Sequence, residues 1–206
     1  TPSRSSAASD VYKRQARYIH ANSNRASAPF ITVNSASIEP DKMEVVLFGR
    51  EGRNTGFEKG LLEQANGGVI YFEEIADMPL GTQAKILRVL VDQRFQRVGG
   101  TEKVQVDLRV ISSTNRDLAA EIDAGTFREE LYHRLNVVPI SVPSLEERRE
   151  DIPLLAEYFI EMLNRTQGLP LRKLAEDARA LLQTMLWPGN VRQLKNVVER
   201  VLILGE

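Results

Sequence analysis

The clearest pattern of apolar and polar positions lies at residues 67–74. Two glycines precede four apolar residues, Val-Ile-Tyr-Phe, and two acids close the run. An apolar run without polar alternation predicts a strand buried on both faces, as in a parallel sheet. Shorter runs predict three further strands, at residues 29–34, 108–115 and 136–142.

Helical spacing of apolar residues predicts the remaining elements. It occurs at residues 39–48, 79–92 and 126–135, where Thr126 is a candidate N-cap and Glu129 completes a capping box. The loop at 49–60 is rich in glycine and is expected to be a mobile surface loop.

From residue 152 onward the pattern predicts helices only. These are expected at 152–167, 174–186 and 191–204, the last capped by Asn190. The change predicts an α/β domain at residues 16–150 and a small all-helical domain at 151–206.

A group of cations lies on the predicted helix at 79–92 and on a hairpin predicted at 94–106, which is expected to rejoin the sheet. The group consists of Lys85, Arg88, Arg94 and Arg97. These side chains either face an anionic partner or form a solvated basic face.

Composition narrows the class of protein. The 206 residues are 42% hydrophobic and 27% charged, which is typical of a globular protein. A net charge of −1 predicts no global attraction to nucleic acid, so DNA contact would need another part of the protein. The chain has no cysteine and no apolar run long enough to span a bilayer, which favours a cytoplasmic protein without a membrane partner.

Residues 1–9 have no periodicity, and residues 1–15 are expected to be non-native. The hexapeptide at 10–15, Asp-Val-Tyr-Lys-Arg-Gln, is the translation of GATGTGTATAAGAGACAG, a transposon end used to fragment DNA before sequencing. We expect the native sequence to begin near Ala16. An ordinary disordered tail is the alternative.

Three of the predicted strands give way to polar side chains. Asn34 closes the first, Glu73 and Glu74 the second, and Thr114 and Asn115 the third. Open α/β sheets bind ligands beyond the carboxyl ends of their strands. One acid would hold a metal and the other a water, as in a Mg²⁺–phosphate site. The alternatives are a solvated acidic turn and a turn-forming asparagine.

Three arginines are candidates for contact with an anion. Arg128 and Arg134 lie about 120° apart around one predicted helix, so they cannot grip one carboxylate side by side. Arg192 lies in the first turn of the last helix, where a cation opposes the helix dipole and is expected to reach outward. The alternatives are an ion pair of Arg134 with Glu130 and a snorkelling surface position for Arg192.

Five segments occur in a fixed order along the chain. They are Gly-Gly-Val-Ile-Tyr-Phe-Glu-Glu-Ile at 67–75, Phe-Gln-Arg-Val-Gly-Gly at 95–100, Arg-Val-Ile-Ser-Ser-Thr-Asn-Arg-Asp-Leu at 109–118, Phe-Arg-Glu-Glu-Leu-Tyr-His-Arg-Leu-Asn-Val-Val-Pro at 127–139 and Trp-Pro-Gly-Asn-Val-Arg-Gln-Leu at 187–194. Together they resemble the sigma-54 interaction domain, the AAA+ ATPase domain of bacterial enhancer-binding proteins. The resemblance covers residues 16–205 and implies an α/β fold, an AAA+ parallel sheet flanked by helices, followed by an all-α lid domain.

The resemblance implies a role for each polar strand end. Glu73 and Glu74 match the Walker B pair, the metal holder and the water-activating base. Asn34 matches the polar switch residue that holds this base. Thr114 and Asn115 match sensor I, so ATP and Mg²⁺ are the implied cofactors.

The resemblance also assigns the arginines. Arg192 matches sensor II of the lid. Arg128 and Arg134 match arginine fingers delivered to the ATP of the neighbouring subunit, which implies a homo-oligomeric ring, usually a hexamer.

The chain departs from the family in three places. No G-x-x-x-x-G-K-[ST] phosphate loop occurs, and the family places it immediately before Ala16, so the chain is expected to be a fragment lacking the main phosphate cradle. Glu73 stands where the family usually has aspartate, which moves the carboxylate by roughly 1 Å or more and disturbs the octahedral geometry that Mg²⁺ requires. The loop at 49–60 is short and lacks the Gly-Ala-Phe-Thr-Gly-Ala tip, so direct contact with sigma-54 is not expected.

The short loop and Ile-Ala-Asp-Met at 75–78 resemble NtrX-type nitrogen-regulation response regulators. Two functions follow as alternatives. The first is an ATP-hydrolysing module that couples nucleotide state to ring assembly and transcription control by RNA polymerase, with DNA bound by a domain outside the chain. The second is a degenerate AAA+ module for oligomerisation and binding, without turnover or sigma-54 contact. Glu74, the fingers and the sensors favour the first, and Glu73 and the altered loop favour the second.

Overall fold

The computed structural model describes residues 5–52 and 56–205. Two compact units divide the chain, one at Val11–Pro139 and the other including Ile140–Glu206. This division lies earlier in the chain than the boundary expected near Glu150, because Leu145 is fully buried in the core of the helical unit.

The described residues form seven strands and nine α-helices. The strands are β1 (Phe30–Asn34), β2 (Gly49–Gly52), β3 (Gly56–Lys59), β4 (Val69–Glu73), β5 (Arg94–Gln96), β6 (Lys103–Gln105) and β7 (Arg109–Ser112). The helices are α1 (Ser5–Ala21), α2 (Pro40–Phe48), α3 (Leu61–Gln64), α4 (Leu80–Asp92), α5 (Leu118–Asp123), α6 (Glu129–Leu135), α7 (Ile152–Gln167), α8 (Glu176–Thr184) and α9 (Asn190–Leu204). Among these residues no helix is long and apolar enough to cross a membrane.

The central sheet has the order β1-β4-β7, and both strand pairs are parallel. Every residue of β4 is buried, which explains its continuous apolar run and confirms the prediction of a parallel sheet. Asn34 pairs in register with Glu73, and Phe72 with Ser112. The three strands therefore end at the same edge.

Helices α2 and α4 contribute apolar side chains to the core that contains the sheet. Leu47 of α2, Ile70 of β4 and Ile86 of α4 are each at most 1% exposed and belong to one cluster. Burying one such side chain contributes about 1.5–3 kcal/mol. This packing fixes the position of the sheet edge on which the polar residues lie.

The expected loop at 49–60 is instead an antiparallel hairpin, β2–β3, apart from residues 53–55, which lie outside the described residues. A glycine starts it because Gly49 has φ +75, and a Cβ there would lie 2.2 Å from the Glu58 carbonyl oxygen.

The hairpin β5–β6 forms as predicted, but it does not rejoin the central sheet. Its extension pairs with β2 instead. Glu51 donates its N–H to the Val98 carbonyl at 2.9 Å, and Val98 donates to the Gly49 carbonyl at 3.0 Å. The two hairpins are thus joined by backbone hydrogen bonds.

The strand predicted at 136–142 is wrong. These residues belong to no strand, and Val137 and Val138 are 74% and 77% exposed. β-branched apolar residues favour a strand only where a neighbouring strand or a core receives them. Among the described residues, no strand pairs with residues 136–142, and the high exposure of Val137 and Val138 shows that no core receives them.

Both predicted N-caps are also wrong. Arg128, not Thr126, is the N-cap residue of α6, and the Thr126 hydroxyl donates to a Glu121 carboxylate oxygen at 2.6 Å. Asn190 is the first residue of α9 and accepts the Leu145 N–H at 2.8 Å. Its backbone has φ +47, and its side chain joins Leu145 to the start of α9.

The helical unit packs around Trp187, which is 1% exposed and donates its Nε1–H to the Leu182 carbonyl at 2.9 Å. Leu163 of α7 and Leu194 of α9 are fully buried in the same cluster. The helices predicted at 152–167, 174–186 and 191–204 are confirmed as α7, α8 and α9, with small shifts at their ends.

Helix α1 includes most of the segment expected to be non-native, and it ends at Ala21. Residues 1–4 lie outside the described residues. That the native sequence begins near Ala16 stays a prediction.

Candidate functional site

The polar strand ends meet at the carboxyl edge of the sheet. Asn34 and Glu73 are neighbours across β1 and β4. Asn115, which follows β7, donates its backbone N–H to Glu74 Oε2 at 3.3 Å. Ile75 donates its N–H to the Ser113 carbonyl at 3.0 Å, which closes the same edge between β4 and β7. The predicted convergence of strand ends therefore occurs in the structure.

Glu74 is buried and conformationally strained. It is 5% exposed, and its φ of 51 and ψ of 55 lie in the left-handed region, which a glutamate rarely adopts. Burial raises the pKa of the Glu74 carboxyl, while the Asn115 N–H partly opposes this effect. Strain and a raised pKa at a strand end are typical of a general base.

Glu73 is 4% exposed, and the Lys13 Nζ lies 3.7 Å from its Oε1. Among the described residues no three His, Cys, Asp or Glu side chains cluster as a metal cage. One or two carboxylates do fit Mg²⁺, because this ion takes its remaining ligands from water and phosphate.

Asn34 uses its side chain locally. Its Oδ1 accepts the Ala36 N–H at 3.1 Å and caps the short turn Ser35–Ser37. This is the turn-forming arrangement that the sequence left open for Asn34. The side chain nonetheless lies at the edge beside Glu73.

Tyr71 lies on β4, two residues before Glu73. The sequence did not indicate it as a site residue. Its hydroxyl is 2.8 Å from Ser113 Oγ, and burial raises the pKa of Tyr71 to about 12. A tyrosine within a fully buried strand needs a partner for its hydroxyl, which is the signal that the sequence contained.

Arg116 is a second residue that the sequence did not indicate. Its N–H donates to Thr114 Oγ1 at 3.1 Å, and its guanidinium bonds Asp77 and, at 3.3 Å, Glu121. It therefore ties the segment after β7 to the turn Ile75–Asp77, which follows Glu74.

The candidate finger arginines lie on or beside α6 and are held by carbonyls of α4. Arg128 Nε donates to the Leu80 carbonyl at 3.1 Å, and Arg134 Nη2 donates to the Leu90 carbonyl at 2.8 Å. Arg134 is exposed. Within the described residues it makes no ion pair with Glu130, so the alternative of a local pair is wrong.

Gln83 joins α4 to the segment that carries Arg128. It is fully buried, and its Nε2 donates to the carbonyls of Met78 at 2.7 Å and Thr126 at 3.0 Å. Its Oε1 accepts the Arg128 N–H at 2.9 Å. The sequence signal was a glutamine on the apolar face of α4, three residues before Ile86.

Arg192 lies in the other unit, in the first turn of α9, and is half-buried. Its assignment to sensor II stays a prediction.

Two family models match the chain. The model of the sigma-54 interaction domain matches residues 13–141, and the model of the AAA+ ATPase lid domain matches residues 146–206. The chain belongs to the sigma-54 interaction domain family. The resemblance of its five segments is therefore confirmed, and the helical unit, which follows that match, is an AAA+ lid domain.

Relatives of this sigma-54 interaction domain include regulatory proteins of bacteria. The nitrogen assimilation regulatory protein NtrX of Azorhizobium caulinodans is 58% identical over 191 residues, which are 92% of this chain and 42% of that protein. The DNA-binding transcriptional regulator NtrC of Escherichia coli is 45% identical over 195 residues, which are 92% of this chain and 41% of that protein. The chain thus spans less than half the length of these curated relatives.

Solved structures confirm the AAA+ fold. The crystal structure of NtrX from Brucella abortus in complex with ATP is 55% identical, with a TM-score of 0.87 over 94% of this chain and 44% of that chain. The complex of the same protein with ADP gives a TM-score of 0.88 at 55% identity, over 94% of this chain and 43% of that chain. The cryo-EM reconstruction of Hsp104, at 15% identity and a TM-score of 0.68, shares the fold alone.

Proposed function

We propose that this sigma-54 interaction domain is the ATP-binding and ATP-hydrolysing module of a bacterial two-component transcription regulator. The observation that carries the proposal is the buried, left-handed Glu74, whose Oε2 accepts the Asn115 N–H at 3.3 Å. This hydrogen bond supports a site at the carboxyl edge of the sheet in which the candidate base, Glu74, contacts the candidate sensor, Asn115.

The two acids would divide the chemistry. Glu73 would hold Mg²⁺ together with the ATP phosphates, and bound Mg²⁺ would neutralise charge on the transferred phosphoryl group. Glu74 would orient a water and accept its proton, for which a raised pKa is favourable. The Asn115 N–H would fix the direction of the Glu74 carboxylate, and Arg116 would hold the loop that carries Asn115.

The arginines support action within a ring. Because Arg134 is exposed, a neighbouring copy can reach its guanidinium. The hydrogen bond from Nη2 to the Leu90 carbonyl restrains the direction of this guanidinium. We propose that Arg134 and Arg128 complete the ATP site of the adjacent subunit of a hexamer, and that Arg192 of the lid contacts the nucleotide of its own subunit. The related NtrX of Brucella abortus has been solved in complex with ATP and with ADP, which supports nucleotide binding here.

The test is ATP turnover by the full-length regulator that contains this chain. We expect Glu74→Gln to lower the rate at least about a hundredfold while ATP still binds, because general base catalysis contributes about 10²–10⁴ in rate. Glu102→Gln, an exposed glutamate outside the site, removes the same charge and should leave the rate unchanged. Equal rates of wild type and Glu74→Gln would exclude hydrolysis at this site.

A second function is favoured by Glu73 and by the short hairpin β2–β3. In this alternative the module binds nucleotide and assembles, but regulates transcription without turnover or sigma-54 contact. It predicts saturable ATP binding and nucleotide-dependent assembly with the same background ATPase rate in wild type and Glu74→Gln. Analytical ultracentrifugation with and without ATP measures the assembly.

RNA polymerase and DNA are proposed as partners of the whole regulator that contains this chain. We propose that it acts in the cytoplasm on transcription by RNA polymerase and contacts DNA through a domain other than this chain. The net charge of −1 supports this division, because the chain itself offers no global attraction to DNA.

A further inference from the structure

The cations on α4 and on the β5–β6 hairpin take no part in the site at the strand ends. The structure places them around one cavity of about 510 Å³. We call it the basic groove and define it by Lys85, Arg88, Arg94, Arg97 and Lys103. Its volume lies within the range of ligand-binding pockets. These side chains therefore surround one concave surface, which a merely solvated basic face would not require.

Carboxylates of the same unit neutralise three of the five cations. The pairs are Lys85–Glu44, Arg94–Asp92, Arg97–Glu51 and Arg97–Glu63. Among the described residues, Arg88 and Lys103 make no ion pair, and both are exposed. Two positive charges therefore remain for a ligand, one on α4 and one on β6 of the hairpin.

The groove is formed before any ligand arrives. Phe48 and Phe95 meet edge to face beneath it, with ring centroids 5.5 Å apart and exposures of 3% and 8%. Arg97 is bonded to both Glu63 and Glu51 at 3.1 Å, which fixes the turn after β5. Rigid walls reduce the entropy lost on binding.

We propose that the basic groove binds an acidic peptide segment of a partner protein. The Arg88 guanidinium can bind one carboxylate in two parallel hydrogen bonds, and Lys103 can bind a second as a point charge. Two available cations match two carboxylates. Nucleic acid is disfavoured, because its affinity comes from many phosphate contacts and the chain carries a net charge of −1.

The test is fluorescence anisotropy of the 206-residue protein with a labelled peptide of alternating Glu and Gly, at about 50 mM salt to limit screening. The uncharged probe is the matching peptide of Gln and Gly. We expect the double variant Arg88→Gln, Lys103→Gln to bind the acidic peptide at least about tenfold more weakly. The control Arg109→Gln, Lys173→Gln changes two exposed cations outside the groove and should alter affinity less than about twofold.

A second measurement uses wild-type protein, so it does not depend on the folding of a variant. In an NMR titration with the acidic peptide, the amides of Gly100 and Lys103 should shift and saturate. The proposal is overturned if the glutamine peptide binds equally well, if both double variants weaken binding alike, or if those amides do not move. It is also overturned if single-stranded DNA binds more tightly than the peptide and loses affinity in the groove variant.

Discussion

Gln83 Oε1 accepts the backbone N–H of Arg128 at 2.9 Å, which makes a fully buried side chain of α4 the anchor for the segment that starts α6. The same amide group reaches the Met78 carbonyl at 2.7 Å. One side chain therefore links the turn that follows Glu74 to a candidate finger arginine.

Gln83→Leu should destabilise the unit Val11–Pro139. It keeps a similar volume but leaves the Arg128 N–H and two carbonyls without partners, and each buried unsatisfied group costs about 1–3 kcal/mol. Urea unfolding followed by circular dichroism measures the loss. Gln64→Leu, at an exposed glutamine, is the control and should change stability by less than about 0.5 kcal/mol. Similar losses in both variants would contradict a structural role for Gln83.

Glu74 should make stability depend on pH. Because its pKa is raised from 4.5 in the folded state, the folded protein binds the proton more tightly than the unfolded chain. Stability is therefore full below the unfolded pKa and falls as pH rises through the folded pKa. We expect Glu74→Gln to flatten the stability profile above pH 4.5 and to be more stable than wild type at neutral pH.

Denaturant midpoints across that pH range, compared with those of Glu102→Gln, isolate the contribution of Glu74. A parallel profile for wild type and Glu74→Gln would show that the carboxylate titrates alike in both states.

Arg97 should hold the two hairpins together. Its guanidinium bonds Glu63 and Glu51 and lies 4.7 Å from the centroid of the Phe57 ring. Arg97→Lys keeps the charge but loses the forked contact with Glu63, so we expect about 1–2 kcal/mol lower stability. Hydrogen exchange at the Glu51 and Val98 amides should accelerate.

Arg94→Lys is the matched control for Arg97, because the Arg94 side chain is 55% exposed and its ion pair with Asp92 is long, at 4.0 Å. Exchange at the Glu51 and Val98 amides should be unchanged in this variant. Acceleration by both substitutions would remove the special role of Arg97.

Trp187 provides a spectroscopic report on the helical unit. It is the single tryptophan of the sequence and is 1% exposed, so its emission should lie at short wavelength and move to the red on unfolding. Leu194→Ala opens a cavity in the same core, so it should lower the free energy of unfolding of this unit by about 2–5 kcal/mol. The midpoint of the fluorescence transition should fall accordingly. Leu171→Ala, at a leucine that is 66% exposed, should have little effect.

Elements with a strong repeating pattern of apolar residues were predictable from the sequence. The run at Val69–Glu73 has apolar contacts on both faces and α7 has a strong helical period, so both were placed correctly. The polar strand ends followed from the parallel sheet. Their convergence needed only the rule that parallel strands end together.

The sequence failed to predict the structure where contacts between residues distant in the chain determine the secondary structure or the partner of a side chain. Val137 and Val138 are good strand formers, but no neighbouring strand receives them among the described residues. The pairing of β2 with Val98 joins residues far apart in sequence, and no local pattern announces it. Gln83 and Arg116 were overlooked for the same reason, because their partners are defined only by the tertiary fold.

The left-handed backbone of Glu74 has a consequence for laboratory evolution. Glycine adopts this conformation without the penalty of about 1–2 kcal/mol that an L-side chain incurs. A screen that selects for thermal stability alone should therefore enrich Glu74→Gly, which gives a more stable protein without its candidate base. A screen that also selects for nucleotide turnover should retain Glu74 together with its left-handed backbone conformation.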